Sequence, residues 1–151
     1  MKTLILMRHG QAEPYAQTDG ERALTAAGRQ QAAQTAHTLQ KAALRPDLLL
    51  ASPLKRAQET AQIAGNILNV PAMTAPELDG RLSAQGLLAF ARTQFARADR
   101  VMLVGHNPNV SLAASVLYGD YFPFSTGAYA AFDWTEEKFP KLISRSEHDG
   151  I

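Results

Sequence analysis

Two arginines and two histidines stand where this chain turns out of apolar segments: Arg8 and His9 after residues 3–7, Arg56 shortly after residues 47–51, and His106 after residues 100–104. Arginine presents a planar fork of N–H donors that matches phosphate oxygens. Neutral imidazole is a competent nucleophile, and its attack on phosphorus divides a phosphoryl transfer into two easier steps. The transition state spreads charge over equatorial oxygens, so fixed cations opposite them lower its energy. The set therefore points to phosphoryl transfer through a phosphohistidine. His9 is the expected attacker because Arg8 and Gly10 fix its turn. Gly10, without a Cβ, is expected to let a phosphate approach the backbone. His106 is expected to donate to the phosphoryl oxygens. Singly, each residue has a plainer reading: a lone histidine is usually structural, a lone helical arginine is usually solvated, and Ser52 reads as a helix cap. The weight lies in their joint placement.

That placement follows from an alternation of apolar strands, polar turns and amphipathic helices. Strands are expected over residues 3–7, 47–51, 70–74 and 100–104, with a closing pair over 126–134 and 138–146. Thr25 is expected to cap a helix running to about Ala43, with Gly28 inside it retained for tight packing at a cost near 1 kcal/mol relative to alanine. Ser52-Pro53 reads as an N-cap followed by a first helical position, and Asn107-Pro108 as the same device. Leu54, Ala57, Ala61, Ala64 and Leu68 recur at helical spacing. Ser83 opens a helix to about Ala98 that buries Leu87, Leu88, Ala91 and Phe95. Alternating strands and helices imply an α/β three-layer sandwich, its central sheet mostly parallel, with helices on both faces and an antiparallel edge. Active sites in such folds lie beyond the carboxyl ends of the strands. That rule gathers Arg8, His9, Ser52, Arg56 and His106 on one rim, where the helix after Ser52-Pro53 adds its positive end.

Composition excludes other classes. The 151 residues suit a single domain, 1–151, with an ordinary globular balance of 46% hydrophobic and 19% charged residues. A net charge of +1, with scattered Lys and Arg, argues against nucleic acid. The absence of cysteine removes disulfides, thiolate metal sites and a cysteine nucleophile. Arg8 and His9 cut the first apolar run short of the roughly 7–15 residues of a signal core, and no run approaches the roughly 20 of a membrane span. The expectation is a cytoplasmic protein without a membrane partner. No metal or other cofactor is expected, since neither histidine turn carries a carboxylate ligand. His37 reads as a surface residue of the first helix and His148 as part of a polar tail.

These residues resemble the histidine phosphatase superfamily, the phosphoglycerate-mutase-like family. The resemblance is carried by Leu6-Met7-Arg8-His9-Gly10-Gln11, by Leu24-Thr25-Ala26-Ala27-Gly28-Arg29-Gln30-Gln31-Ala32, by Ser52-Pro53-Leu54-Lys55-Arg56-Ala57-Gln58-Glu59-Thr60-Ala61, and by Val104-Gly105-His106-Asn107. It extends over about residues 1–133. It implies that His9 is phosphorylated while Arg8, Arg56 and His106 bind the phosphoryl group. It also implies an acidic proton donor after the third strand, for which Glu77 matches best and Asp79 second. The plainer reading of Glu77 is a solvated turn residue. Within the family the chain is most similar to the short SixA-type phosphohistidine phosphatases, through Asp19-Gly20-Glu21-Arg22-Ala23-Leu24-Thr25. Ala23 stands where that type has proline. Arg22 is then a candidate substrate contact or a surface charge. The partner implied is a phosphohistidine-bearing protein, a phosphotransfer domain or a phosphocarrier. A small-metabolite phosphomonoesterase or mutase on the same site remains a rival reading, as does an inactive phospho-ligand binding module.

Overall fold

The computed structural model describes residues 1–146; His148 lies outside them. β1 (Thr3–Arg8), β2 (Leu48–Ala51), β3 (Ala72–Thr74) and β4 (Arg100–Gly105) alternate with α1 (Ala26–Lys41), α2 (Lys55–Leu68) and α3 (Ala84–Gln94). After β4 come α4 (Asn109–Tyr118), β5 (Tyr129–Asp133) and β6 (Lys141–Arg145). The sheet runs β3-β2-β4-β1-β5-β6. The first four strands are mutually parallel, while β5 is antiparallel to β1 and β6 to β5. The expected mixed sheet with an antiparallel edge is therefore observed.

Side chains of a strand alternate between faces, and a strand covered on both sides reads as a continuous apolar run. In β1, Ile5 and Met7 face one core with Ala32, Ala36 and Leu39 of α1 and Ala57, Ala61, Ala64 and Leu68 of α2. Leu4 and Leu6 face the other core with Leu87, Leu88 and Ala91 of α3 and Val110, Ala113 and Leu117 of α4. Because the four parallel strands point the same way, the segments leaving β1, β2, β3 and β4 emerge on one rim.

Thr25 caps α1 as expected, its hydroxyl accepting from Gly28 N at 3.0 Å, and Ser83 caps α3 by accepting from Gly86 N. Two helix starts depart from expectation. α2 begins at Lys55 rather than Pro53, because the Ser52 hydroxyl accepts from Leu54 N within the preceding turn and lies 2.7 Å from His106. α4 begins at Asn109, because the Asn107 side chain is engaged by the Ser111 hydroxyl and the Phe124 carbonyl instead of capping the helix. Other boundaries shift by a few residues. α1 stops at Lys41, since Ala43 is left-handed, and α3 at Gln94, where Phe95 and Ala96 tighten the last turn. β3 starts at Ala72, because Val70 N closes α2 on Gly65 O. β5 starts at Tyr129, because Gly127 (φ +76°) donates back to the carbonyls of Arg8 and His9.

Gly28 has the packing reason anticipated for it. A Cβ there would lie 2.0 Å from the Gln11 carbonyl oxygen, and one on Gly10 would lie 2.4 Å from the Gly28 carbonyl oxygen. Both obstacles are backbone, which cannot step aside. Gly28→Ala should therefore destabilise the protein by about 2–3 kcal/mol despite alanine's better helix propensity. Urea unfolding compared with the natural chain measures this; an unchanged midpoint would show that the contact relaxes freely.

Candidate active site

His9 follows the last residue of β1 and is 7% exposed. Its Nδ1 lies 2.7 Å from the Gly10 carbonyl oxygen. A carbonyl only accepts, so Nδ1 carries the proton and Nε2 holds the lone pair. Burial, together with the charges of Arg56, Arg8 and Arg22, pushes the His9 pKa down to about 4, against a smaller upward effect of the Gly10 bond. The imidazole is therefore neutral near pH 7, with its lone pair on Nε2.

His106 follows β4, and its ring centroid is 5.2 Å from that of His9. It is 6% exposed. Burial again lowers its pKa to about 4, reinforced by His9 and Arg56 and opposed by Asp19 and Asp79. Its Nε2 meets the fully buried Ser52 hydroxyl, which itself accepts from Leu54 N at 3.1 Å. Arg8 is held by Nη1 donating to the Phe124 carbonyl at 3.1 Å, and its burial lowers its pKa. Arg8 Nε and His106 Nδ1 are buried without a protein partner. Such unpaired polar groups cost about 1–3 kcal/mol each, and here they belong to residues expected to touch a phosphoryl group.

Arg56 lies in the first turn of α2 and is 8% exposed. Its Nη1 donates to the Asp19 carbonyl at 2.9 Å and its Nη2 to Asp19 Oδ2 at 3.0 Å. Arg22 donates from Nε to the Glu13 carbonyl and from Nη1 to Asp19 Oδ1. Of the expected side chains, His9 thus feels the charges of Arg8, Arg22 and Arg56, and His106 those of His9 and Arg56. Their arrangement surrounds one neutral imidazole with three guanidinium groups, which suits a phosphoryl group.

Residues 4–82 match the model of the histidine phosphatase superfamily, branch 1. The chain is 32% identical over 136 residues to the phosphohistidine phosphatase SixA of Escherichia coli, covering 85% of this chain and 83% of that protein. The chain belongs to the histidine phosphatase superfamily. Two solved structures agree in fold. One, from Agrobacterium tumefaciens and assigned to SixA, superposes with a TM-score of 0.86 at 25% identity, over 97% of this chain and 98% of the other. The other, the protein histidine phosphatase SixA complexed with tungstate, gives 0.85 at 27% identity over 95% of each chain.

In this histidine phosphatase the other residues singled out by sequence take the following places. The space beside Gly10 is filled by the Gly28 carbonyl and its N–H donates to Thr60 Oγ1 at 3.0 Å, so helix packing by itself requires a glycine there. Glu77 lies on the 3-10 turn Pro76–Leu78, exposed, and lines a narrow crevice with Gly80, His106 and Asn109. Asp79 is turned to Arg81, which takes both of its carboxylate oxygens. His37 is exposed on α1. Among the described residues no helix is long and apolar enough to cross a membrane.

Sequence reasoning passed over two contributors. Asp19, noted only as part of a motif, is the carboxylate that joins Arg22 to Arg56. Thr60 accepts from Gly10 N and donates to the Arg56 carbonyl at 2.7 Å, tying the histidine turn to α2. A threonine on the apolar face of a helix was the available signal for the second.

Burial of two neutral histidines has a consequence for stability. Their folded pKa values, about 4, lie below the ordinary 6.5. Between those limits the unfolded chain binds protons that the folded one refuses, so stability is fully present above pH 6.5 and falls as pH drops toward 4. Urea unfolding at pH 7, 5.5 and 4.5 should show this decline, and His9→Gln/His106→Gln should show a clearly shallower one. Equal slopes would mean that the histidines titrate normally in the fold.

Proposed function

We propose that this protein is a phosphohistidine phosphatase, a single histidine-phosphatase domain in which His9 Nε2 takes the phosphoryl group and water then releases it. The observation that carries this reading is the His9 tautomer: Nδ1–H is fixed on the Gly10 carbonyl, and among the described residues Nε2 has no hydrogen-bond partner. In the first step the N–P bond of the substrate breaks as the His9 Nε2–P bond forms. Arg8, Arg22 and Arg56 offset charge on the equatorial oxygens, and His106 donates to one of them. In the second step water attacks phosphorus and His9 leaves as imidazole. Binding of tungstate by a SixA protein supports an oxyanion site of this kind.

A protein-borne phosphohistidine, on a phosphotransfer domain or phosphocarrier, is the substrate this rim suits. The segment between β1 and α1 holds only the 3-10 turn Asp19–Glu21, and that between β3 and α3 only Pro76–Leu78. Neither forms a helical roof, so the rim suits a protein surface that presents a phosphohistidine to the buried His9, whereas a small sugar phosphate gains little from a rim without a lid. The name of the Escherichia coli relative points the same way. A reducing, cytoplasmic setting without nucleic acid or membrane partners belongs to the same reading.

Rapid acid quench and base quench distinguish the nucleophile. A phosphoramidate breaks once its nitrogen is protonated, so the phosphoenzyme should survive base, decay in acid, and be absent from His9→Gln. An acid-stable adduct, or turnover above a few per cent in His9→Gln, would remove His9 from this role.

Leaving-group chemistry separates the substrate classes. An alkoxide needs a proton in the transition state, whereas a protonated imidazole leaves without help. Glu77→Gln should therefore slow hydrolysis of alkyl phosphomonoesters at least ten-fold more than that of a phosphorylated transfer domain. Equal losses would make Glu77 a structural residue. A small ester hydrolysed ten-fold more efficiently than every phosphohistidine protein tried would favour the metabolite-phosphatase reading.

A further inference from the structure

The most buried cation of the site already holds an anion. Both terminal nitrogens of Arg56 are bound to Asp19, one through the backbone carbonyl and one through Oδ2, while Oδ1 accepts from Arg22 Nη1. Arg56 is almost wholly enclosed, yet the Asp19 side chain is 67% exposed. A carboxylate bridging two guanidinium groups is the geometry in which phosphoryl oxygens bind the same groups. Its charge also acts on His106, in opposition to the effect of burial. With both histidines neutral, Arg8, Arg22 and Arg56 carry three positive charges, and Asp19 is the carboxylate paired directly with two of them.

We propose that Asp19 is the resident counter-anion of the phosphoryl subsite: it occupies Arg22 Nη1 and Arg56 Nη2 in the empty enzyme, yields them to the phosphoryl group, and reclaims them as phosphate departs. The inference rests on the reading of Arg56 as a phosphoryl-binding residue. The two contacts of Asp19 divide the work. Its carbonyl keeps Nη1 of Arg56 in place, so rotation of the exposed carboxylate frees Nη2 without releasing the guanidinium. The carboxylate sits on a solvent-facing 3-10 turn, and only its ion pairs hold it inward. Hydrogen bonds from Arg22 and Arg56 lower the pKa of its carboxyl. A resident anion of this kind weakens binding of every oxyanion, product included, and so opposes trapping of the enzyme by the phosphate it makes.

The proposal reverses the sign expected of a positioning residue. If Asp19 only positioned Arg56, removing its charge would weaken oxyanion binding. As a competitor, its removal strengthens it. The experiment is titration of orthophosphate and of tungstate into the full chain by calorimetry, with orthophosphate inhibition of turnover as a second readout. Asp19→Asn should bind both oxyanions about five-fold or more tightly, in line with loss of an exposed charge pair, and orthophosphate should inhibit it at correspondingly lower concentration. Asp19→Glu, which keeps the charge, should stay within about two-fold of the natural chain. Unchanged or weaker binding in Asp19→Asn overturns the proposal, as does equal tightening in Asp19→Glu. Arg56→Gln separates the two levels of inference. If it abolishes oxyanion binding while Asp19→Asn fails to tighten it, only the role of Asp19 is wrong. If Arg56→Gln binds orthophosphate as the natural chain does, the assignment of the subsite fails first.

Discussion

The backbone of the turn after β1 meets the backbone of the first turn of α1 with no side chain between them, because positions 10 and 28 are both glycine. The rest of the site is hung on that contact. It fixes the Gly10 peptide, whose carbonyl takes the His9 Nδ1 proton and whose N–H reaches Thr60. Thr60 in turn bonds the carbonyl of Arg56. From the other side Gly127 donates to the carbonyls of Arg8 and His9. One close approach of two chain segments thus sets the tautomer of His9 and ties it to the helix that carries Arg56.

The electrostatic character of the site follows from the same enclosure. Arginine keeps its charge under burial, whereas imidazole surrenders its proton when desolvated among cations. The pocket therefore sorts its four basic residues into two kinds. Arg8 and Arg56 supply fixed charge, and His9 and His106 are left as neutral nitrogen bases. A more open pocket would leave the histidines closer to their ordinary titration and part of His9 protonated near neutrality.

Much of this was legible in the sequence. The apolar runs gave the strands, the turn residues at their ends gave the rim, and Thr25 and Ser83 marked two helix starts correctly. The lapses share one physical cause. Ser52 and Asn107 carry residue types suited to capping, and capping is a local preference, but here each side chain has partners beyond its own turn. Ser52 meets His106 and Asn107 meets Phe124, and neither pairing is visible until the chain is folded. Asp19 escaped notice for the same reason: a carboxylate in a polar loop gives no local sign that an arginine 37 residues away will claim it. At Gly10 the sequence shows that a side chain is excluded but not that the Gly28 carbonyl would exclude it.

The position of β1 within the sheet has a consequence for how the molecule is made. Its two neighbours are β4, with Thr3 opposite Arg100, and β5, with Leu4 opposite Phe132. During synthesis the strand leading to His9 emerges before either neighbour exists, and its unpaired N–H and C=O groups must wait while most of the chain is translated. Long-range pairing of this kind makes folding slow and exposes an apolar segment in the interval. The strand that leads to His9 is therefore made before both of the strands that hold it, and it is among the last to find its place.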